Sequence, residues 1–221
     1  KSDSLVILGH GVTGNKDRPF LVTLSEALAK SGITALRLSF SGNGGSEGRF
    51  EDSTISNQVA DLRAAVDAFA GPKIGYVGHS MGAAVGVLAA SQDERIRFLV
   101  SLAGMAHTAA FAEREFAGIQ PGGGLMWGKP GCPLSHAYLD DMKRIGSVAA
   151  DASRVTVPWL LVHGSADDVV PLQDAQDLFA ITGGAKQMEI LDGADHIFSN
   201  GHTDSMVRIV VDWVRQLCTS G

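Results

Sequence analysis

The chain has 221 residues, of which 45% are hydrophobic and 19% charged, a composition typical of a folded globular protein rather than a disordered or fibrous one. Its 18 basic and 24 acidic residues give a formal net charge of -6, and no stretch gathers five basic residues, which argues against nucleic acid or an anionic membrane surface as a partner. The longest apolar runs, such as 5–8 and 83–90, are far shorter than the ~20 residues of a membrane-spanning helix, so we expect no membrane span.

Short apolar runs rich in β-branched residues alternate along the chain with longer stretches that carry apolar residues at helical spacing. The predicted strands are residues 5–8, 35–40, 74–77, 98–102, 159–163 and 187–191. The predicted helices are residues 20–30, 56–70, 80–91, 173–181 and 203–218. This alternation predicts an α/β fold with a mostly parallel sheet and helices on both of its faces.

Residues 104–154 interrupt the alternation, because about fifty residues pass without a clean strand and 120–133 are dense in Gly and Pro. A structureless loop of that length is uncommon in a compact domain. We therefore predict a single domain over residues 1–221 with a cap inserted at about 104–154, containing helices near 109–116 and 138–145. Such a cap is expected to shape a binding site.

The two cysteines, Cys132 and Cys218, are too few for a disulfide framework, and neither lies in a CxxC or Cys/His cluster. We interpret both as free thiols. No set of His, Asp and Glu residues shows the spacing of metal ligands, so no metal or other cofactor is predicted. The chain begins without a signal-like apolar segment, which makes the cytoplasm the default expectation, although a processed chain would begin in the same way.

Two G-x-S-x-G patterns occur, at residues 78–82 and 44–48. Ser80 directly follows the predicted strand 74–77 and opens a stretch compatible with a helix, which is the strand-turn-helix setting that exposes a nucleophilic serine. Ser46 lies in the polar run 41–52 with no helix after it. The context therefore predicts Ser80 as the nucleophile and Ser46 as an ordinary loop residue.

A serine hydroxyl needs a base near neutral pH, and histidine is the usual one. His196 lies in the loop between the last predicted strand and the last helix, where it can reach the carboxyl edge of the sheet. His79 is adjacent to Ser80 and is expected to project away from it. His10 and His163 end predicted strands in His-Gly pairs and are expected to orient loops. These placements favour His196 as the base.

The acid that orients this base should lie at another strand end, between Ser80 and His196 in the chain. Asp167 and Asp168 both follow the predicted strand 159–163, and their spacing alone does not distinguish them. Asp192 and Asp195 flank His196 too closely and are interpreted as surface charges. A tetrahedral intermediate also needs two backbone N–H donors. The expected donors are Met81, after the nucleophile, and Val12, in the loop after the first strand.

These segments together resemble the α/β-hydrolase family over nearly the whole chain. The matching motifs are His10-Gly11-Val12-Thr13-Gly14, Gly78-His79-Ser80-Met81-Gly82, Gly164-Ser165-Ala166-Asp167 with Val170-Pro171, and Gly193-Ala194-Asp195-His196 with Phe198, in the family order Ser, Asp, His. The resemblance implies that Asp167, rather than Asp168, is the acid, and that the cap corresponds to the lid of many esterases and lipases.

Residues 39–48, which follow a His-Gly-Val-Thr-Gly-Asn-Lys loop, look like the small bacterial carboxylesterase and feruloyl-esterase-like branch of the family. One feature departs from the family pattern. Family members commonly have one or two strands before the His-Gly strand, whereas here that strand is predicted to begin at Leu5, as expected for either a trimmed or a minimal version.

The expected function is a cofactor-free serine hydrolase that cleaves small-molecule carboxylic esters through an acyl-enzyme, acting as a monomer or homodimer. Two alternatives stay open: a peptidase or amidase that uses the same triad, and a hydrolase-fold binding protein without turnover. Four apolar cap residues are candidates for the wall of the substrate pocket, although a packed cap core explains them equally well. They are Phe116, Leu125, Met126 and Trp127.

Overall fold

The computed structural model describes residues 4–69 and 71–219, and in them six strands form one sheet in the order β2-β1-β3-β4-β5-β6, every neighbouring pair being parallel. The strands are β1 (Ser4–Gly9), β2 (Thr34–Leu38), β3 (Lys73–His79), β4 (Ile96–Leu102), β5 (Trp159–Gly164) and β6 (Lys186–Leu191). The helices are α1 (Pro19–Lys30), α2 (Ile55–Asp67), α3 (Met81–Ala90), α4 (Thr108–Phe116), α5 (His136–Ile145), α6 (Ala149–Ala152), α7 (Leu172–Ile181) and α8 (His202–Thr219). The predicted α/β fold with a parallel sheet is confirmed.

Most element ends differ from the predictions by one to three residues. Strand β2 ends at Leu38 rather than at Phe40, because the backbone N–H of Phe40 donates to Nε2 of His10 at 3.2 Å instead of continuing a ladder. Helix α3 begins at Met81, since Ser80 has the non-helical angles φ 55° and ψ −120°. Helix α2 ends at Asp67. The predicted end of that helix, Ala70, lies outside the described residues.

Both faces of the sheet are covered, as expected for parallel strands. Alternate residues of β1 show the division: Leu5 and Ile7 belong to one buried cluster, and Val6 and Leu8 belong to the other. Helices α1 and α8 pack on the Val6 side, whereas α2, α3 and α7 pack on the Leu5 side. The sheet is therefore a rigid support whose strand ends hold the loops that follow them.

The segment 104–154 contributes helices α4, α5 and α6, of which α6 was not predicted. Its aromatic residues Phe111, Phe116 and Tyr138 are buried in the same cluster as the Leu5 side of the sheet. A polar contact also attaches α5 to α2, because the carboxylate of Asp141 accepts from the backbone N–H of Ser56 at 3.0 Å and from its hydroxyl at 2.7 Å. The inserted segment thus shares its core with the sheet.

No helix in the described part of the chain has the length and apolarity needed to cross a bilayer. The two cysteines, Cys132 and Cys218, are free thiols.

Candidate active site

The turn between β3 and α3 holds Ser80 in a conformation that side chains seldom adopt, with φ 55° and ψ −120°. Three backbone bonds hold the turn. The Ser80 N–H donates to the carbonyl of Leu102 at 2.9 Å, and the Ser80 carbonyl accepts from Ala83 at 3.0 Å and from Met105 at 3.2 Å. The strand-turn-helix setting predicted around Ser80 is therefore present.

Two glycines make this turn sterically feasible. A Cβ on Gly78 would lie 2.3 Å from the carbonyl oxygen of Gly82, and a Cβ on Gly82 would lie 2.6 Å from the carbonyl oxygen of His10. Neither distance is compatible with a side chain. The G-x-S-x-G spacing is explained by this close approach of the strand, the helix and the His10 loop.

His196 and Asp167 are joined by a hydrogen bond of 2.9 Å between Nδ1 of the imidazole and Oδ2 of the carboxylate. The residues lie in the loops after β6 and β5, so both loops leave the same edge of the sheet as the Ser80 turn. Because a carboxylate only accepts, Nδ1 of His196 carries the proton, and Nε2 is left to accept one. His196 and Ser80 line the same pocket.

The side chain of Asp167 is completely buried and accepts four hydrogen bonds. Oδ1 receives the backbone N–H groups of Val169 and Val170, each at 2.9 Å, and Oδ2 receives His163 at 3.2 Å as well as His196. Burial alone would raise the pKa of this carboxyl group, but the bonds from His163, His196 and Val170 together hold its pKa well below the usual range. Asp167 is therefore ionised at neutral pH.

The structure brings Asp167, and not its neighbour Asp168, to His196, because Asp168 is exposed to solvent. Asp195 also differs from expectation, since it is no simple surface charge. Its Oδ1 accepts the backbone N–H groups of Ile197 at 3.2 Å and Ser199 at 2.8 Å, which shapes the loop that carries His196.

His79, which we expected to project away from the nucleophile, is among the residues that line the same pocket. It packs against His196 with 4.7 Å between ring centroids, and its Nε2–H donates to the backbone carbonyl of His196 at 2.9 Å. Burial, with the nearby His196, lowers the pKa of His79 well below its usual value. His79 is thus a neutral side chain that fixes the His196 loop, a role that its position beside Ser80 did not reveal.

The two predicted backbone donors belong to different segments of the chain. Val12 lies in the loop after β1 and lines the pocket, and Met81 is the first residue of α3. Neither N–H donates to a backbone acceptor in the described part of the chain. Met81 also lies at the positive end of the α3 dipole. The role of both N–H groups as donors to an oxyanion therefore stays a prediction.

The pocket around Ser80 has a volume of about 250 Å³ and is walled by apolar side chains that include Val169, Ile197 and Trp127. Among the four cap residues predicted as wall candidates, Trp127 alone lines it. Phe116 and Met126 are buried beneath the surface, where Phe116 packs on Trp127 with 5.1 Å between ring centroids. Leu125 is partly exposed and pairs with Pro133 in an isolated bridge outside the pocket.

Ser46 of the second G-x-S-x-G pattern lies in a turn-rich loop, where its hydroxyl donates to the carbonyl of Ser39 at 2.6 Å. That contact satisfies the hydroxyl in a loop-forming role. In residues 4–69 and 71–219, no group of three or more His, Cys, Asp or Glu side chains is arranged to hold a metal ion.

A pocket residue that the sequence analysis missed is Arg18, the residue before α1. Pro19 follows it, and Pro favours the first position of a helix. That signal marks Arg18 as the residue before the helix, whereas its place in the pocket is shown by the folded structure.

Comparison with known proteins agrees with the fold described above. The family model of the alpha/beta hydrolase fold matches residues 4–127, more than half of the chain. An uncharacterized protein of Mycobacterium tuberculosis is 28% identical over 228 aligned residues, which cover 99% of this chain and 70% of that protein.

Solved structures show the same architecture. Est1E from Butyrivibrio proteoclasticus, solved with ferulic acid bound, has a TM-score of 0.82 and 25% identity, covering 96% of this chain and 88% of its own. A monoacylglycerol lipase from Paleococcus ferrophilus has a TM-score of 0.75 and 21% identity, covering 95% of this chain and 93% of its own. The esterase-like resemblance is confirmed, and ester hydrolysis in general is supported. The chain belongs to the α/β-hydrolase fold family.

Proposed function

We propose that this chain is a serine hydrolase that cleaves carboxylic esters of small molecules through an acyl-enzyme, with Ser80, His196 and Asp167 as its triad. The observation that carries the proposal is the 2.9 Å bond between Asp167 and Nδ1 of His196, in a pocket that His196 shares with Ser80. This bond selects the one imidazole tautomer whose Nε2 can accept the serine proton.

In the first half of the reaction, Oγ of Ser80 attacks the ester carbonyl while Nε2 of His196 takes its proton. The ionised Asp167 stabilises the imidazolium that forms, without accepting the proton itself. The N–H groups of Val12 and Met81 donate to the oxyanion of the tetrahedral intermediate. His196 then returns the proton to the departing alcohol.

In the second half, water enters the pocket and His196 removes one of its protons. The hydroxide attacks the acyl-Ser80 carbonyl, and the same two N–H groups hold the second oxyanion. Collapse of this intermediate releases the carboxylic acid and returns the proton to Ser80. The sum of both halves adds one water across one ester bond, so this cycle requires no external oxidant, reductant or cofactor.

The volume of the pocket and the ligand bound to a structural neighbour both favour a small ester as the substrate. A volume of about 250 Å³ suits a short acyl or aryl group, and the apolar faces of Val169, Ile197 and Trp127 would contact its hydrocarbon part. Est1E binds ferulic acid, which makes a feruloyl ester a useful member of a substrate panel.

The test compares wild type with Ser80→Ala on 4-nitrophenyl acetate, with Ser46→Ala as the matched control from the second G-x-S-x-G pattern. We expect kcat to fall roughly a millionfold in Ser80→Ala and to change little in Ser46→Ala. A fluorophosphonate should label wild type and fail to label Ser80→Ala. Unchanged ester turnover in Ser80→Ala would refute the proposal, and faster cleavage of aminoacyl amides than of matched esters would favour an amidase.

A further inference from the structure

Two cationic side chains from distant parts of the chain meet beside the catalytic pocket. The guanidinium Nη2 of Arg18 lies 3.5 Å from the carbonyl oxygen of Thr13, and Nζ of Lys129 lies 2.5 Å from the same oxygen. Arg18 lines the pocket together with Ser80 and His196. The site for ester cleavage is therefore bordered by positive charge.

No carboxylate in the described part of the chain neutralises these two charges. Asp17, next to Arg18 in sequence, pairs with Lys16 and Arg37 instead. Glu115, which accepts from the indole of Trp127, pairs with Arg114. A backbone carbonyl accepts a hydrogen bond but carries no net charge, so Thr13 leaves the positive charge of Arg18 uncompensated.

The two positive charges also act on a titratable residue close to the pocket. Arg18 and Lys129 both act, in addition to burial, to lower the pKa of His10, which lies in the loop that carries Val12. This local positive potential contrasts with the net charge of -6 of the whole chain. A half-buried arginine without an acidic partner, facing a pocket, is suited to binding an anionic ligand group.

We propose that the pocket prefers esters that carry a second, ionised carboxylate, which Arg18 binds with Lys129 beside it. This inference rests on the proposed ester hydrolysis at Ser80. The planar guanidinium fork matches the two oxygens of a carboxylate, whereas the apolar wall accommodates the hydrocarbon between the carboxylate and the scissile ester. The second carboxylate takes no part in bond making or breaking.

Two pairs of esters test the preference on each side of the scissile bond. For the acyl side, 4-nitrophenyl hemiadipate is compared with 4-nitrophenyl hexanoate, which has the same number of acyl carbons and no charge. For the alcohol side, 4-acetoxybenzoate is compared with its methyl ester. We expect wild type to favour the anionic member of at least one pair in kcat/KM, and to lose part of this preference at high salt.

The variants are Arg18→Gln and, as a control with the same change in net charge, Arg208→Gln on the exposed part of α8. In Arg18→Gln, the ratio of kcat/KM for the anionic ester to that for the neutral ester should fall by about tenfold to a hundredfold. In Arg208→Gln, the ratio should stay at the wild-type value. Arg18→Lys should retain part of the preference, because it keeps the charge and loses the fork.

A binding measurement separates this inference from the proposed function. Calorimetry on Ser80→Ala should show that monomethyl adipate binds more tightly than methyl hexanoate, and that adding Arg18→Gln removes the difference. If monomethyl adipate binds more tightly in this Arg18-dependent way but wild type hydrolyses no ester, the proposed hydrolase function is overturned and the anion site is upheld. An equal anionic-to-neutral ratio in wild type and Arg18→Gln for both pairs of esters would overturn the anion site. Equal binding of monomethyl adipate and methyl hexanoate, together with equal binding of 4-acetoxybenzoate and its methyl ester, would also overturn it.

Discussion

His163 donates its Nε2–H to Oδ2 of Asp167 across 3.2 Å, four residues away and completely buried. The same Nε2–H also lies 2.9 Å from the carbonyl of Val170. Since both partners are acceptors, the proton of this ring is on Nε2, and Nδ1 of His163 is buried without a partner. The acid of the proposed triad is thus held by a second histidine as well as by His196.

Replacing Asp167 with Asn should separate its role from that of its neighbour. The amide of Asp167→Asn cannot hold Nδ1 of His196 in the protonated tautomer and stabilise the imidazolium, so we expect kcat for ester hydrolysis to fall by about 10⁴-fold. Asp168→Asn is the matched control, because Asp168 is exposed, and its kcat should stay close to wild type. Equal losses in the two variants would contradict the assignment.

The stability of the fold should depend on pH through His10. Its Nδ1–H donates to the carbonyl of Gly11 at 2.9 Å and its Nε2 accepts from Phe40 at 3.2 Å, so the neutral ring satisfies both neighbours. Burial, with the charges of Arg18 and Lys129, lowers its pKa to about 4. Protonation of the folded protein would break the bond from Phe40.

Between about pH 4 and about pH 6.5, the unfolded chain therefore binds more protons at His10 than the folded chain does, and the free energy of unfolding rises with pH. The effect of this one residue is about 3 kcal/mol across the window. Urea unfolding from pH 4.5 to 7 should show a shallower pH dependence in His10→Gln. The exposed His136 provides the control His136→Gln, whose slope should match wild type.

The contact between Asp141 and Ser56 should contribute measurably to stability. Asp141 is buried and its carboxylate accepts two bonds from Ser56 in the first turn of α2. In Asp141→Asn, one carboxylate oxygen is replaced by an NH2 group, which would face a hydrogen-bond donor of Ser56 instead of accepting from it. We therefore expect the free energy of unfolding to fall by about 1–3 kcal/mol. The exposed neighbour gives the control Asp140→Asn, which should melt at the wild-type temperature. A calorimetric melt in which both variants match wild type would contradict this contact.

The alternation of apolar runs was sufficient to predict the parallel sheet, because each run had the length and β-branched content of a buried strand. It could not predict the strand order or which helix covers which face, since an apolar run shows that a strand is buried without showing which strand or helix is its neighbour. The placement of Ser80, Asp167 and His196 at one sheet edge followed from their positions after strands β3, β5 and β6.

Contacts that depend on loop paths and rotamers were not predictable in this way. The bond from His79 to the carbonyl of His196 joins residues 117 positions apart, and no local pattern indicates it. In the cap, the sequence does not distinguish an apolar residue that lines a pocket from one that is buried in the core. Only the folded structure shows that Trp127 lines the pocket and that Phe116 is buried.

The backbone of Ser80 makes the proposed nucleophile a weak point of the native state. Holding a non-glycine residue at φ 55° and ψ −120° costs about 1–3 kcal/mol of conformational free energy. Glycine has no Cβ and avoids this steric penalty. Relief of this strain should outweigh the extra freedom that glycine gives the unfolded chain, about 0.4–1 kcal/mol. Ser80→Gly should therefore be inert towards esters and yet resist heat better than wild type. At this residue, thermal stability favours glycine, whereas the proposed catalysis requires serine.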